Sequence, residues 1–359
     1  MVCSVCGNRY EAGADEPWRC SCGAPLEIAV TPRPDGPPKA TIDRDRGLWA
    51  FDAFLPVEQS VTLGEGFTPL VDAPGWDATF KLEYVFPSGS FKDRGGTTTL
   101  SRAANLGVSR VIEDSSGNAG AAIAQYAARA GIDADIYVPA DAKPSKLAAI
   151  ERTGGTPVEV PGSRADVTEA CIDEVEAGEA WYASHAWNPA FFAGTMTFAM
   201  EVAAQRDWTV PDSVVLPLGH GTLFLGAYRG FLALREAGWI DGIPRLLGVQ
   251  AAGVAPIAAD RHGREPDETN DLADGIQIEE PVRFDQITAA IDATDGDAIA
   301  VGEAVTERSL SRLHRSGFDV EPTSAAAVAG LSVYRERGVL ETGEDVVVPL
   351  TGSGLKIDT

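Results

Sequence analysis

Two apolar rhythms alternate along this chain. Short continuous apolar runs at 79–85, 110–113, 135–138, 213–218, 245–250 and 345–350 read as buried strands. Between them, apolar residues recur every three to four positions over roughly 91–106, 118–131, 144–153, 165–177, 193–206, 222–237, 304–316 and 323–337, which predicts helices. Several strands end directly in a polar or glycine-rich loop that opens the next helix, and in an open α/β sheet that junction is where ligands bind. The 359 residues suffice for two domains with separate cores, and no fixed-period repeat is visible.

Composition narrows the function classes. With 53 acidic against 29 basic residues the net charge is −24, so nucleic-acid phosphates and anionic membranes are repelled. No apolar run reaches the ~20 residues of a membrane span, and no charged–apolar–small leader opens the chain. The expectation is a cytoplasmic protein with a small-molecule ligand, no nucleic acid and no membrane. The acid is spread along the chain, and only six of the basic residues are lysine. That pattern reads as adaptation to a salty cytoplasm.

Four of the five cysteines fall in the first thirty residues. Cys3-x-x-Cys6-Gly7 and Cys20-x-Cys22-Gly23 each end in glycine, as a tight knuckle requires, and four thiolates on two turns suit a tetrahedral structural zinc site. The C-x-C spacing departs from the usual C-x-x-C, and reduced thiols or two disulfides are the competing readings. Cys171, on a helical pattern, reads as a small core residue. A proline-rich spacer follows at 31–40, and a connector from Trp49 leads to Ser60.

The rarity of lysine draws attention to Lys92, in Pro-Ser-Gly-Ser-Phe-Lys-Asp-Arg-Gly (87–95). Small residues bring the backbone close to a ligand there. An amine beside Phe91 with Arg94 as a cationic neighbour has the surroundings of a Schiff-base lysine. Ser115-Ser116-Gly117-Asn118-Ala119-Gly120 opens a helix, whose free N–H groups suit a carboxylate. Gly219-His220-Gly221-Thr222 can form a backbone nest around a phosphate, with the Thr222 hydroxyl as an added donor. His185 is a candidate anion or acid–base partner, or else a satisfied structural side chain.

These segments, with GEGFTPL (64–70), SSGNAGAAIAQYAARAGI (115–132), GVQAAGVAPI (248–257), EPTSAAAVAGL (321–331) and LTGSGLK (350–356), resemble the threonine synthases among the fold type II pyridoxal-phosphate (PLP) enzymes. The resemblance implies two open-sheet, three-layer αβα domains plus a small N-terminal zinc ribbon. It divides the chain into a zinc-ribbon-like segment (1–30), a linker (31–60), a larger PLP-binding domain (61–90 and 205–359) and a smaller substrate-side domain (91–204). It implies PLP on Lys92, Asn118 at the phenolic oxygen, Gly219, His220, Gly221 and Thr222 at the phosphate, and Thr351, with Ser353 competing, at the pyridine nitrogen. Ser90, Arg94, Ser115, Ser116, Gly117 and His185 would meet the amino-acid substrate.

A break in the resemblance bears on the reaction. Threonine synthases carry a segment like Asn-Pro-x-Arg-x-Glu-Gly-Gln-Lys-Thr; here it reads Asn188-Pro-Ala-Phe191-Phe-Ala-Gly194-Thr-Met196-Thr197. Phe191 and Met196 stand where two cations could neutralise a phosphorylated substrate, each worth ~1.5–3 kcal/mol per charge-assisted bond. The resemblance implies a lyase that converts O-phosphohomoserine and water to threonine and phosphate. Elimination or replacement at Cβ of a smaller amino acid, as in serine/threonine ammonia-lyases or cysteine and cysteate synthases, is the second reading, and a non-catalytic PLP-binding paralogue is the third. The exact substrate, any effector and the oligomeric state stay open, homodimers being common among type II relatives.

Overall fold

The computed structural model describes residues 1–36, 42–178, 180–263 and 268–356. Residues 37–40 of the proline-rich spacer lie outside the described residues. In chain order the strands are β1 (Val2–Cys3), β2 (Leu26–Glu27), β3 (Leu70–Ala73), β4 (Ala78–Lys81), β5 (Arg110–Glu113), β6 (Asp133–Pro139), β7 (Thr156–Val160), β8 (Trp181–Tyr182), β9 (Ser213–Pro217), β10 (Arg245–Ala251), β11 (Asp297–Val301) and β12 (Val346–Pro349). The α-helices are α1 (Lys92–Asn105), α2 (Asn118–Ala130), α3 (Pro144–Arg152), α4 (Arg164–Glu176), α5 (Pro189–Thr195), α6 (Thr197–Gln205), α7 (Thr222–Glu236), α8 (Pro256–His262), α9 (Phe284–Ala293), α10 (Glu303–Arg315) and α11 (Pro322–Glu336).

The chain divides into two compact units: residues 1–34, 43–66 and 92–195, and residues 35–42, 67–91 and 196–359. In the first, a four-stranded parallel sheet runs β7-β6-β5-β8. Its core gathers Leu100, Val111, Ile123, Tyr126, Ile136, Val138 and Phe191 from the sheet and from α1, α2 and α5. From β5 the chain builds outward through β6 and β7, then returns for β8 on the other side of β5. The order therefore reverses at β5, and such a switch point opens a crevice at the carboxyl end of the strand.

The second unit repeats this logic on a six-stranded sheet, β11-β10-β9-β12-β4-β3, parallel except for β3. The chain moves outward from β9 to β10 and β11, then β12 returns to the other side of β9 in register Val346 to Ser213. The switch point is β9. The apolar strands and Ala-rich α11 (Ala325, Ala326, Ala327, Val328, Ala329) pack into one cluster with Val215, Leu247, Val249 and Val348, small side chains allowing close helix-to-sheet approach.

Several elements differ from the sequence-based expectation. The run 79–85 shortens to β4 plus a 3₁₀ turn at Glu83–Val85, because buried Glu83 leaves the ladder to accept the Thr68 hydroxyl at 2.6 Å. The single helix expected at 193–206 is two, α5 and α6, meeting at Met196. Strands β7 and β11 and helices α8 and α9 are present in addition to the expected elements. Residues 44–54, expected as linker, form 3₁₀ turns that bury Leu48, Trp49, Phe51 and Phe54; three aromatics in eleven positions make that stretch core. Among the described residues no helix is long and apolar enough to cross a membrane.

At the N-terminus, β1 and β2 pair antiparallel, and Gly7 and Gly23 adopt positive φ of 77° and 87°, which close the two knuckles. Cys3, Cys6, Cys20 and Cys22 bring their Sγ atoms within 4.8 Å of one another. Cys3 to Cys22 is 3.6 Å and Cys6 to Cys20 is 3.4 Å, far beyond the ~2.05 Å of a disulfide bond. A tetrahedron with ~2.3 Å Zn–S bonds has edges of ~3.8 Å, so the donor set fits the ion. The backbone N–H of Cys22 and the Tyr10 hydroxyl, 3.2 Å away, pull the Cys20 thiol down to about 6. Cys171 is buried among Ile112, Val167 and Tyr182.

Candidate active site

In the first unit the chemistry collects at the carboxyl end of β5. Lys92 opens α1, half-buried, and Arg94, two residues on, is fully buried. The loop Asp114–Gly117 leaves β5 and enters α2 at Asn118, with Ser115, Ser116, Gly117 and Asn118 all half-buried. A side chain at Gly120 would sit 1.8 Å from the Ser115 carbonyl oxygen, so glycine there lets the loop fold onto the first turn of α2. The N-cap Gly117 supplies no side-chain bond. The first N–H groups of α2 therefore face the loop with the positive end of the helix dipole behind them.

A buried network joins three of the segments singled out in the sequence. Buried Tyr126 places its hydroxyl 3.1 Å from Glu65 Oε2 and 3.2 Å from Asp93 Oδ2. Glu65 also accepts from Trp49 Nε1 at 3.0 Å and from the Leu63 N–H at 2.7 Å. The residue after Lys92 is thus tied through α2 to the 64–66 turn, which fixes where α1 begins.

Glu113, the last residue of β5, is buried and holds His185: Oε1 lies 2.7 Å from His185 Nδ1, and Oε2 accepts the His185 N–H at 3.1 Å. Phe191 meets the His185 ring edge-on, with centroids 6.0 Å apart. Its ring occupies the space a side chain at Gly95 would take, and it belongs to the apolar cluster of this unit. Burial pushes the Glu113 carboxyl well above its ordinary 4.5, and Asp114 pushes the same way; the His185 N–H and the charges of Lys92 and Arg164 pull it back. An acid raised on folding adds stability below its unfolded pKa, and that stability is lost as pH rises through the folded value. Glu113→Gln is therefore expected to flatten the fall in unfolding free energy from about pH 4.5 upward. Urea titrations across that range check this, and parallel wild-type and variant curves count against it.

In the second unit, the loop after β9 passes through Gly219, His220 and Gly221 into Thr222, the first residue of α7. Gly221 caps the helix with φ 76° and no side-chain bond. Leu218 N–H bonds the Val249 carbonyl at 2.8 Å, which anchors the loop on β10. Beside it, the chain leaving β12 runs through Thr351-Gly352-Ser353. Phe91 N–H donates to the Thr351 carbonyl at 3.0 Å, Ser353 N–H donates to the Gly89 carbonyl at 2.9 Å, and Ser90 bridges Gly352. The residue preceding Lys92 in the chain is thus bonded to Thr351. Thr351 is 1% exposed with its Oγ1 3.2 Å from Ser324 Oγ, whereas Ser353 Oγ accepts the Leu355 N–H at 3.2 Å. Ser90 Oγ is fully buried and has no hydrogen-bond partner among the described residues. A buried hydroxyl of that kind calls for a bound group.

The expected site residues thus divide between the units. Lys92, Arg94, Ser115, Ser116, Gly117, Asn118 and His185 lie in the first, and Ser90, Gly219, His220, Gly221, Thr222 and Thr351 in the second. Each unit sets its glycine-bearing loop at a switch point, where α/β sheets take their ligands. In the first unit a helix N-terminus suits a carboxylate and a primary amine suits an aldehyde, and in the second a glycine loop on a helix N-terminus suits a phosphate; each set fits groups that PLP or an amino acid carries.

Comparison with known proteins agrees. The profile of the pyridoxal-phosphate dependent enzymes matches residues 61–352. The threonine synthase of Methanocaldococcus jannaschii is 31% identical, over 99% of this chain and 92% of that protein. That of Methanosarcina acetivorans is 34% identical, over 86% and 80%. Maize serine racemase superposes with a TM-score of 0.70 at 22% identity, covering 89% of this chain and 94% of that one, a likeness of fold. With the switch-point loops and the lysine segment in place, the chain belongs to the pyridoxal-phosphate dependent enzymes, of fold type II.

Proposed function

We propose that this enzyme catalyses threonine-synthase-type chemistry, converting O-phosphohomoserine and water to threonine and phosphate. The observation that carries this reading is the similarity to curated threonine synthases along nearly the whole chain. Lys92 would hold the cofactor, and its Nζ would then take the proton from the substrate Cα. Ser115, Ser116, Gly117 and the first N–H groups of α2 bind the α-carboxylate. Asn118 would address the phenolic oxygen, and the Gly219–Thr222 backbone with the Thr222 hydroxyl would hold the phosphate. Ser90 Oγ and Arg94 complete the substrate side. When bound, PLP supplies an electron sink for charge developing at Cα; a neutral Thr351 hydroxyl, if it met the ring nitrogen, would temper that sink and favour elimination and replacement over transamination.

One observation favours a second reading. Phe191, at the position of a family arginine, is fully buried in the apolar cluster, and the carboxylate of Glu113 lies against neighbouring His185. The loss of a cation at that position suits a substrate with a smaller, uncharged side chain, with ammonia-lyase or cysteine- or cysteate-synthase chemistry at Cβ. A substrate panel decides: phosphate release from O-phosphohomoserine supports the first reading, keto-acid release from serine or threonine the second. A protein that never takes up PLP overturns both.

The four cysteines would hold a structural zinc. Binding of ~10 kcal/mol or more is typical of such sites in isolated fingers. The purified protein should carry one zinc per chain, and Cys20→Ser with a strong chelator should release it and unfold the ribbon while the α/β core persists. Full native stability without metal would refute the assignment. The net charge of −24 supports work in a salty cytoplasm: denaturation midpoints should fall progressively as salt is withdrawn, and indifference to salt would end that idea.

A further inference from the structure

Two hydroxyls meet at the turn that follows β12, and their hydrogen bonds can be counted. Ser324 lies in the first turn of α11, fully buried, and its Oγ accepts the Gly352 N–H at 3.0 Å. Its one hydroxyl hydrogen has two acceptors in reach, Thr351 Oγ1 at 3.2 Å and the Gly352 carbonyl at 3.3 Å. That carbonyl already accepts the Glu321 N–H at 2.9 Å. Thr351 Oγ1 has Ser324 as its side-chain partner among the described residues, so the better-placed use of the Ser324 hydrogen is to donate there.

The direction of that bond has a consequence. A Thr351 hydroxyl that accepts from Ser324 keeps its own hydrogen for a further partner; one that donates to Ser324 presents only lone pairs. A pyridine nitrogen is itself a lone pair and needs the donor. We infer that Ser324 is a positioning residue that turns the Thr351 hydroxyl into a hydrogen-bond donor toward the cofactor's ring nitrogen. This rests on Thr351 facing that nitrogen, as proposed above. Accepting one bond polarises the Thr351 O–H and strengthens the one it donates. The ring nitrogen is then hydrogen-bonded without being protonated. The backbone around Gly352 holds the pair in place: Gly352 N–H and the Glu321 N–H to Gly352 carbonyl bond brace Ser324 and the turn together.

The test loads the full-length protein with PLP carrying ¹⁵N in the ring and reads that nucleus by NMR, a signal that reports the hydrogen bond directly and is independent of turnover. In the wild type it should lie upfield of an unbonded pyridine and well short of a pyridinium. Thr351→Val should carry it to the unbonded position. Ser324→Ala should move it part of the way in the same direction, and Ser324→Cys, nearly the same size and a weaker donor, by less. If Thr351→Val moves the signal and neither Ser324 variant does, Ser324 plays no such part and the reading of Thr351 stands. If Thr351→Val leaves the signal in place, Thr351 does not face the ring nitrogen and the role given to Ser324 falls with it. Should Ser324→Ala fail to retain cofactor, the shift of the Cys variant decides in its place.

Discussion

Lys92→Ala is expected to purify colourless and to lose activity by ~10⁴-fold or more, the scale seen when a covalent catalytic group is removed. The size of the effect follows from the two duties proposed for one nitrogen: Nζ would hold the cofactor through its aldehyde and would also move the Cα proton. The other lysines of this chain are at 39, 81, 143, 146 and 356, none of them in the 87–95 segment. The fold should tolerate the change. Lys92 is the half-buried first residue of α1, and alanine favours a helix at least as well as lysine does. Absorbance, borohydride reduction and circular dichroism separate the outcomes. A variant that folds, stays yellow and retains more than a tenth of the activity would remove Lys92 from the mechanism.

Glu201→Ala should cost the second unit ~3–5 kcal/mol, the usual penalty for breaking a buried ion pair. Lys81 Nζ and Glu201 Oε2 lie 2.8 Å apart with both side chains fully buried. The same ammonium donates to the Thr68 carbonyl at 2.6 Å and to Gln205 Oε1 at 2.9 Å. Three elements meet there: β4, α6 and the Thr68–Pro69 end of the GEGFTPL segment. Truncating the glutamate leaves a desolvated cation short of its counter-charge. Replacing both partners by apolar residues, Lys81→Met with Glu201→Leu, should recover most of the loss, because the cost lies in the unbalanced charge and less in the missing contact. Urea denaturation of the two singles and the double measures the coupling. A single-mutant cost below ~1 kcal/mol would show that water reaches the pair.

The contrast between Lys92 and Lys81 shows how far residue patterns carry. Lys92 is legible because its surroundings are local: small residues before it, Phe91 beside it, a helix behind it. The loops at 115–118 and 219–222 are legible for the same reason, each being a glycine-bearing break between an apolar run and a helical period. The buried role of Lys81 is not, since Glu201 lies 120 positions away. Glu113 shows the intermediate case. A carboxylate ending an apolar strand just before a ligand loop is a visible signal, but its partner His185 lies 72 positions on. Phe191 stands in its segment where the related enzymes carry a cation, and it packs over Gly95 in the core.

The order of residues alone determined the alternation of strand and helix, the loops that open helices at 118 and 222, the cysteine knuckles and the lysine at the start of a helix. Each depends on neighbours within a turn or two, where spacing and side-chain type act directly on the backbone. Only the tertiary structure decided which strands lie side by side, and so where each sheet reverses its order and opens a crevice. It also decided which buried charges find a partner, and which hydroxyl Ser324 meets, because desolvation and hydrogen-bond pairing depend on groups that are far apart in the chain and close in space.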